Sequence, residues 1–159
     1  MKIKKESTLM EYKIAILEES DVEAIRNLER QKFLNQGISE IEISMEEWNS
    51  RWRTEYVEHY WKIGWSFTVR NKEGRLMGYT LAQPVLFFEG QTQSLWVDVI
   101  SCQDGPGLSL LIDTTIKLGR EKHLQRVYFP ATTEVRATKE MDKSLLLDSK
   151  ICFVKTTKG

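Results

Sequence analysis

One segment near the middle of the chain constrains the fold most. From Val97 to Phe129 it reads VDVISCQDGPGLSLLIDTTIKLGREKHLQRVYF, in which a Gly-Pro-Gly turn and an amphipathic stretch separate two apolar stretches. Between Leu108 and Leu118 the apolar side chains recur at three- and four-residue spacing, as on one face of a helix. Because two strands joined by a crossover helix pair in parallel, we expect strands at Leu95–Ser101 and Leu124–Pro130 to be parallel neighbours.

The residues before this segment predict antiparallel strands. SFTVRN, the KEGR turn at Gly74 and LMGYTLAQP form a hairpin, and the second strand continues past Pro84 to a turn near Gly90 and a long third strand. A first strand at Tyr12–Leu17 and a last strand, ICFVKTT, complete the order. The sequence therefore predicts an α/β (α+β) fold, with a mixed, mostly antiparallel central sheet flanked by helices on both faces. We expect one domain over residues 1–159, in which residues 1–11 are flexible or irregular.

Several patterns predict the helices. Ser-x-x-Glu capping boxes at Ser20–Glu23 and Ser44–Glu47 predict helix starts, the first for a helix from Asp21 to about Phe33. Residues 33–44 are expected to form a loop, with a short helical turn as an open alternative, and a short polar helix is expected around Glu134 to Asp148. After the second box, three- and four-residue spacing predicts one helix with a buried stripe made of Met45, Trp48, Trp52, Tyr56, His59 and Ile63.

Composition disfavours some classes of partner. The 23 basic and 23 acidic side chains balance, so the chain has no overall field that would attract nucleic acid or a membrane surface. No apolar run is long enough to cross a bilayer, and we expect a cytoplasmic protein. Cys102 and Cys152 lack the short paired spacings of metal sites, so we expect no metal and two reduced, mostly buried thiols.

The glycine turn can be a connection or an anion site. A helix N-terminus presents unpaired backbone N–H groups and the positive end of the helix dipole, and glycines let a ligand approach closely. A nucleotide-triphosphate P-loop needs Gly-Lys-Ser/Thr here, whereas Gly107 is followed by Leu108 and Ser109. The same residues do not form the G-x-S-x-G elbow of a serine hydrolase.

The order of elements and the turn resemble the GNAT superfamily of acyl-CoA-dependent N-acetyltransferases, from Tyr12 to Thr157. The family pattern Val-x-Pro-x-x-Arg-Gly-x-Gly-x-Gly/Ala falls on Val99 to Ser109, where both principal glycines, Gly105 and Gly107, align. A second family signature falls on residues 141–153, and there only Leu147 and Phe153 keep the family residue.

The resemblance implies acetyl-CoA as acyl donor and an amine acceptor, which is either a small molecule or a protein amine; a homodimer is left open. It implies Asp98 as general base, with Glu89 as a more distant choice, and Tyr128 as general acid. A salt bridge for Asp98 and simple packing for Tyr128 are open alternatives. Backbone N–H groups near Val99 and Ile100 would polarise the thioester carbonyl. The cofactor-binding set that the resemblance implies is Val99, Ile100, Ser101, Asp104, Gly105, Gly107, Leu108 and Ser109.

Three departures from the family pattern support an alternative. Asp104 replaces a usually basic residue, Pro106 removes one N–H from the turn, and Asp148 stands where many members have a proton-donating tyrosine. The alternative is a non-catalytic GNAT-like module that binds acyl-CoA or acts in regulation or protein interaction.

Overall fold

The computed structural model describes residues 12–157, so the segment 1–11, predicted to be flexible or irregular, lies outside the described residues. The helices and strands of the described range are, in chain order, β1 (Tyr12–Ile16), α1 (Asp21–Asn35), α2 (Glu40–Trp48), α3 (Thr54–Ile63), β2 (Phe67–Asn71), β3 (Leu76–Phe88), β4 (Gln91–Cys102), α4 (Gly105–Glu121), β5 (Arg126–Pro130), α5 (Thr133–Arg136), a 3₁₀ turn (Lys139–Met141), β6 (Leu145–Leu146) and β7 (Ile151–Lys155). None of these helices is both long enough and apolar enough to cross a membrane.

Within residues 12–157, seven strands form one sheet in the order β1-β2-β3-β4-β5-β7-β6. Every neighbouring pair is antiparallel except β4 and β5, which run parallel with Leu95 opposite Val127 and Trp96 opposite Tyr128. The predicted fold class and the predicted parallel neighbours are both confirmed. The connection between β4 and β5 is the amphipathic helix α4, as the crossover requires.

Helices cover both faces of this sheet. On one face α4 buries Leu108, Ile112 and Ile116 against the central strands. On the other face α1 and α3 bury an apolar layer against β3, which includes Ile25, Val57 and their neighbours. Within residues 12–157 the core therefore lies on both faces of the sheet, and side chains of β4 contribute to both sides.

The prediction of one helix with a buried stripe after the second capping box is wrong. Residues 40–63 form two helices, α2 and α3, separated by residues 49–53. Because this break changes the rotational phase, α3 buries Val57 and Tyr60, and Trp52 is buried in the connection. The other predicted stripe residues are exposed: Met45, Trp48, Tyr56, His59 and Ile63.

Both predicted capping boxes were also wrong, although the first helix was placed correctly. Ser20 has helical backbone angles and makes no side-chain capping bond. Ser44 lies inside α2, and the cap of that helix is Ser39, whose hydroxyl accepts a hydrogen bond from the Glu42 amide at 3.4 Å. A Ser-x-x-Glu pattern alone does not distinguish a helix start from a helix interior.

The expected polar helix around Glu134 to Asp148 is replaced by shorter elements. The segment contains the four-residue helix α5, the 3₁₀ turn and the two-residue strand β6. Thr132 caps α5 by accepting a hydrogen bond from the Val135 amide at 3.2 Å. The polar composition was compatible with a helix, but local capping and the pairing of β6 with β7 divide the segment.

Gly78 lets β3 lie close to the end of β4, next to the glycine turn. A Cβ atom at this position would lie 2.4 Å from the Ser101 carbonyl oxygen and 2.8 Å from the Cys102 Cα. Backbone atoms cannot rotate away, so any side chain here would push the two strands apart.

We predict that Gly78→Ala lowers the free energy of unfolding by about 2–3 kcal/mol, because the added methyl group overlaps the backbone of β4. Urea denaturation followed by circular dichroism measures this loss. Gly105→Ala is the matched control, since a Cβ there meets no atom within 4 Å. Equal stability of the two variants would contradict the close approach.

Glu47 joins α2 to α1 through two arginines. Its carboxylate accepts hydrogen bonds from Arg26 Nε at 2.8 Å and from Arg30 Nη1 at 3.2 Å. Partial burial raises the pKa of Glu47, but the hydrogen bonds and charges of the two arginines outweigh burial and hold the pKa below its ordinary value of 4.5.

We predict that Glu47→Gln destabilises the protein by about 1 kcal/mol at pH 7, because the charged pairs are lost. The pKa is lower in the folded state, so this contribution is complete above pH 4.5 and disappears as the pH falls through the folded pKa. Denaturation at a series of pH values should therefore show the two stabilities converging in acid. A difference that stays constant down to pH 3 would contradict the ion-pair assignment.

Candidate active site

β4 and β5 remain paired for only two residue positions. Beyond Trp96 and Tyr128 the ladder between them ends, although β4 continues for six more residues, to Cys102. We call the gap between Val97–Cys102 and Phe129–Pro130 the splay. A cavity of about 200 Å³ opens here, lined by Arg51, Trp96, Val97, Asp98, Tyr128, Phe129, Pro130, Lys150 and Ile151. The structure therefore brings both predicted catalytic residues, Asp98 and Tyr128, into one cavity.

A β-bulge places Asp98. Ala82 of β3 lies opposite Val97, and the next residue back along β3, Leu81, lies opposite Val99, so Asp98 is an extra residue without an opposite partner. Val97 packs on the α4 side of the sheet, whereas Val99 packs on the α1 and α3 side. Bulges commonly redirect a side chain near a functional site, and this one lets Asp98 reach α3.

Two side chains hold the Asp98 carboxylate. The Tyr60 hydroxyl of α3 donates a hydrogen bond to Oδ2 at 2.9 Å, and Arg51 Nη1 forms a salt bridge with Oδ1. The Asp98 side chain is 15% exposed, whereas that of Arg51 is 62% exposed. Burial, and then the hydrogen bond to the carboxylate, raises the pKa of Tyr60, which therefore stays protonated as a donor.

Tyr128 lies in an aromatic cluster. Its ring packs edge-on against Phe88 at a centroid distance of 5.1 Å and lies tilted against Trp96 and Phe153. Its hydroxyl accepts a hydrogen bond from Arg126 Nη1 at 3.2 Å. Tyr128 therefore both packs against aromatic neighbours and lines the cavity, and it is only 1% exposed.

Among the described strands, none pairs with the edge of β4 that faces the splay. The Gln103 amide donates to the Met77 carbonyl of β3 at 2.9 Å. Since successive residues of a strand point their N–H groups to opposite edges, Val99 faces β3 and Ile100 faces the splay. Of the two backbone donors expected from the sequence, the geometry favours Ile100.

The glycine turn is capped by its own aspartate. Asp104 Oδ1 accepts a hydrogen bond from the Gly107 amide at 2.8 Å, and Oδ2 accepts one from the Tyr12 hydroxyl. The Leu108 amide already donates to the Asp104 carbonyl, and Pro106 has no N–H. Of the amides at 105–108, those of the first helical turn, only that of Gly105 lacks a partner in the part of the chain that the structure describes.

A second opening, a groove of about 470 Å³, lies beside this turn. It contains four of the residues expected to bind a cofactor, Asp104, Gly105, Leu108 and Ser109, and is completed by Cys102, Gln103, Glu134, Ala137, Thr138 and Lys139. Among the described residues that line this groove, Lys139 is the only cation, and Asp104 and Glu134 are the two carboxylates. Of the other expected residues, Gly107 is buried, and the Ser101 hydroxyl accepts a hydrogen bond from Lys32 Nζ at 2.7 Å.

Other residues singled out in the sequence lie elsewhere. Glu89 is in the turn before β4, at the opposite end of that strand from the splay. Asp148 accepts hydrogen bonds from the Lys150 and Ile151 amides at 2.8 and 2.9 Å, so its carboxylate shapes the turn before β7. Burial raises the pKa of the thiols of Cys102 and Cys152.

Three residues in or beside the cavity were not predicted as site residues: Arg51, Tyr60 and Lys150. Arg51 and Lys150 lie outside helices and strands, where periodicity gives no signal. Tyr60 follows Val57 by three residues, and this spacing would have identified the buried face of α3 had the break before it been recognised.

Comparison with known proteins gives the family. Residues 10–152 match the family described as "Protein of unknown function (DUF1999)". The chain belongs to this family. No curated protein matches the DUF1999 chain in sequence.

Solved structures similar to this DUF1999 chain include acetyltransferases. Arylalkylamine N-acetyltransferase 2 from Aedes aegypti has a TM-score of 0.62 at 10% identity, with 92% of this chain and 99% of that chain covered. A GNAT-family acetyltransferase from Staphylococcus aureus Mu50 has a TM-score of 0.58 at 10% identity, over 92% and 99% of the two chains. N-acetylglutamate synthase from Neisseria gonorrhoeae, solved with coenzyme A and N-acetyl-glutamate, has a TM-score of 0.60 at 16% identity, over 92% of this chain and 35% of that one. At these identities the likeness establishes a GNAT-like fold.

Proposed function

We propose that this protein is a cytoplasmic N-acyltransferase that transfers an acetyl or other acyl group from an acyl-CoA to an amine. The observation that carries the proposal is the splay, whose cavity contains a carboxylate, a tyrosine and an unpaired strand edge. Neighbouring structures with the same fold are N-acetyltransferases, and one of them contains coenzyme A.

The strand edge fits the amide-bearing arm of coenzyme A. A strand whose partner has diverged offers backbone N–H and C=O groups to any extended chain with amides. The turn fits the pyrophosphate less well, because Asp104 occupies the Gly107 amide and adds a negative charge. We therefore assign more of the binding to the splay than to the turn.

The chemistry requires a deprotonated amine, a polarised carbonyl and a protonated leaving group. When bound, an acyl-CoA supplies a thioester carbonyl carbon that the amine attacks and a thiolate that leaves. Asp98 takes the proton of the amine, directly or through water, while Tyr60 holds the carboxylate in position. The Ile100 N–H would donate a hydrogen bond to the carbonyl oxygen. The Tyr128 hydroxyl would give its proton to the thiolate and regain one from solvent after each turnover.

Changing the charge at the glycine turn tests whether coenzyme A binds there. We predict that Asp104→Asn raises coenzyme A affinity about fivefold, because a negative charge near the pyrophosphate is removed while an N-cap side chain is kept. Gly105→Asp should lower affinity by a similar factor. Isothermal titration calorimetry with coenzyme A measures both changes.

Gly105 is preferable to Gly107 for the added charge. A Cβ at Gly107 would lie 2.6 Å from Cys102 Sγ, so a substitution there would also disturb packing. Gly105→Asn is the matched neutral control for Gly105→Asp. Affinities that do not respond to either charge would remove the turn from the site, whereas failure to bind coenzyme A at all would overturn the proposed function.

Turnover tests the general base. With acetyl-CoA and an accepted amine, Asp98→Asn should lower kcat roughly ten- to a thousandfold, because one general base contributes about that much. Coenzyme A affinity should be nearly unchanged. For the wild type, release of free thiol should rise with pH as the acceptor amine loses its proton.

Tyr60→Phe is the informative companion variant. It removes the hydrogen bond to Asp98 but keeps the carboxylate, so its loss of kcat should be smaller than that of Asp98→Asn. Full activity of Asp98→Asn would show that Asp98 is a structural partner of Arg51 and not a base.

Two observations favour a second function, a non-catalytic acyl-CoA-binding or regulatory module. Asp98 is already engaged by Arg51 and Tyr60, and the turn is already capped by Asp104. Coenzyme A binding without thiol release across a broad panel of amines would support this module and reject the transferase.

A further inference from the structure

The charges around the splay cavity are unbalanced. Its lining contains two cationic side chains, Arg51 and Lys150, and one carboxylate, Asp98, while the other lining residues are aromatic, apolar or proline. A primary amine is mostly protonated at neutral pH. An acceptor with no other charge would therefore bring a second net positive charge into this cavity, at an electrostatic cost.

The guanidinium group of Arg51 has hydrogen-bond donors that Asp98 does not use. Its Nη1 atom bonds Asp98, whereas Nε and Nη2 have no partner among the described residues. A guanidinium group presents its donors in a rigid fork that matches a carboxylate. The exposed side chain of Arg51 therefore has free hydrogen-bonding capacity at the rim of the cavity.

Lys150 provides the second cation from the opposite strand connection. Its backbone is fixed, because its amide donates to Asp148 Oδ1 at 2.8 Å and its carbonyl accepts from the Ala131 amide at 2.7 Å. The ammonium group forms no salt bridge within residues 12–157. The backbone of Lys150 is therefore fixed beside the splay, and its side chain lines the cavity without an ion-pair partner in this part of the chain.

We propose that the acceptor is an amino acid, a small molecule with a carboxylate close to the reacting amine, and that Arg51 and Lys150 bind this carboxylate. This inference rests on the proposed acyl transfer. The acceptor is neutral overall as a zwitterion, so it enters a positively charged cavity without the penalty that a simple amine would meet. A cavity of about 200 Å³ that must also admit the thioester leaves room only for a compact acceptor.

Matched pairs of acceptors test the inference. The rate of thiol release from acetyl-CoA is measured with amino acids and with their carboxamides, for example glycine and glycinamide, and is corrected for the fraction of free amine. We expect kcat/KM to be at least tenfold higher for the preferred amino acid than for its carboxamide, with most of the difference in KM. A ratio near one, or a preference for carboxamides or simple amines, would overturn the inference and leave acyl transfer intact.

Variants of Arg51 and Lys150 test whether these two side chains cause the preference for an amino acid over its carboxamide. Lys150→Gln should reduce the ratio at least threefold through KM, and Arg51→Gln should reduce it further, whereas Arg51→Lys should retain part of it. Lys72→Gln, in the turn between β2 and β3, is the matched control and should leave the ratio unchanged. Thermal unfolding of each variant confirms that it is folded. An unchanged ratio in folded Lys150→Gln and Arg51→Gln would overturn the assignment.

A binding measurement separates the two proposals if no amine is acetylated. That result would reject acyl transfer, and calorimetry with coenzyme A present would then compare glycine with glycinamide, and likewise the other pairs. Tighter binding of the amino acid, weakened by Lys150→Gln, would support the carboxylate site on its own. Equal binding, or no binding of either member of every pair, would overturn it.

Discussion

The short pairing between β4 and β5 is the constraint on which the site depends. Parallel strands joined by a helix normally continue side by side, but here the ladder covers only Leu95–Val127 and Trp96–Tyr128. Both strands share a core with α4 on one face of the sheet, and beyond this point they diverge around a cavity. The same divergence frees the edge at Ile100 and brings Asp98 and Tyr128 together. Without it, β4 would be an ordinary central strand with no room for a ligand.

The sequence predicted the sheet well because its strands carry local signals. Alternating and β-branched residues mark the hairpin and the long third strand, and a helix between two apolar strands determines their parallel pairing. The bulge at Asp98 has no such signal, since it depends on how β3 and β4 fit over their full length. Asp98 was identified as a candidate through the family resemblance, but its position in the bulge and its partners were not predictable.

The helical region on the other face shows why the rest of the site was missed. No glycine or proline marks the break between α2 and α3. The periodic spacing therefore predicted one helix where the structure has two. Arg51 lies in that break, 47 residues from Asp98, and Tyr60 lies 38 residues from it. Contacts of this kind arise from tertiary packing, and propensity within a short window contains no information about them.

Arg51 would connect the proposed recognition of the acceptor with the proposed role of Asp98. Its guanidinium group pairs with the carboxylate that the proposed mechanism uses as the base. In the proposed complex, a carboxylate of the acceptor would compete for the same guanidinium and would weaken the Arg51–Asp98 pair. The hydrogen bond from Tyr60 does not involve Arg51, so the carboxylate would stay oriented while its charge became available to the amine. The salt bridge at Asp98 is therefore compatible with the proposed catalytic role, because a bound acceptor would draw Arg51 away from the carboxylate.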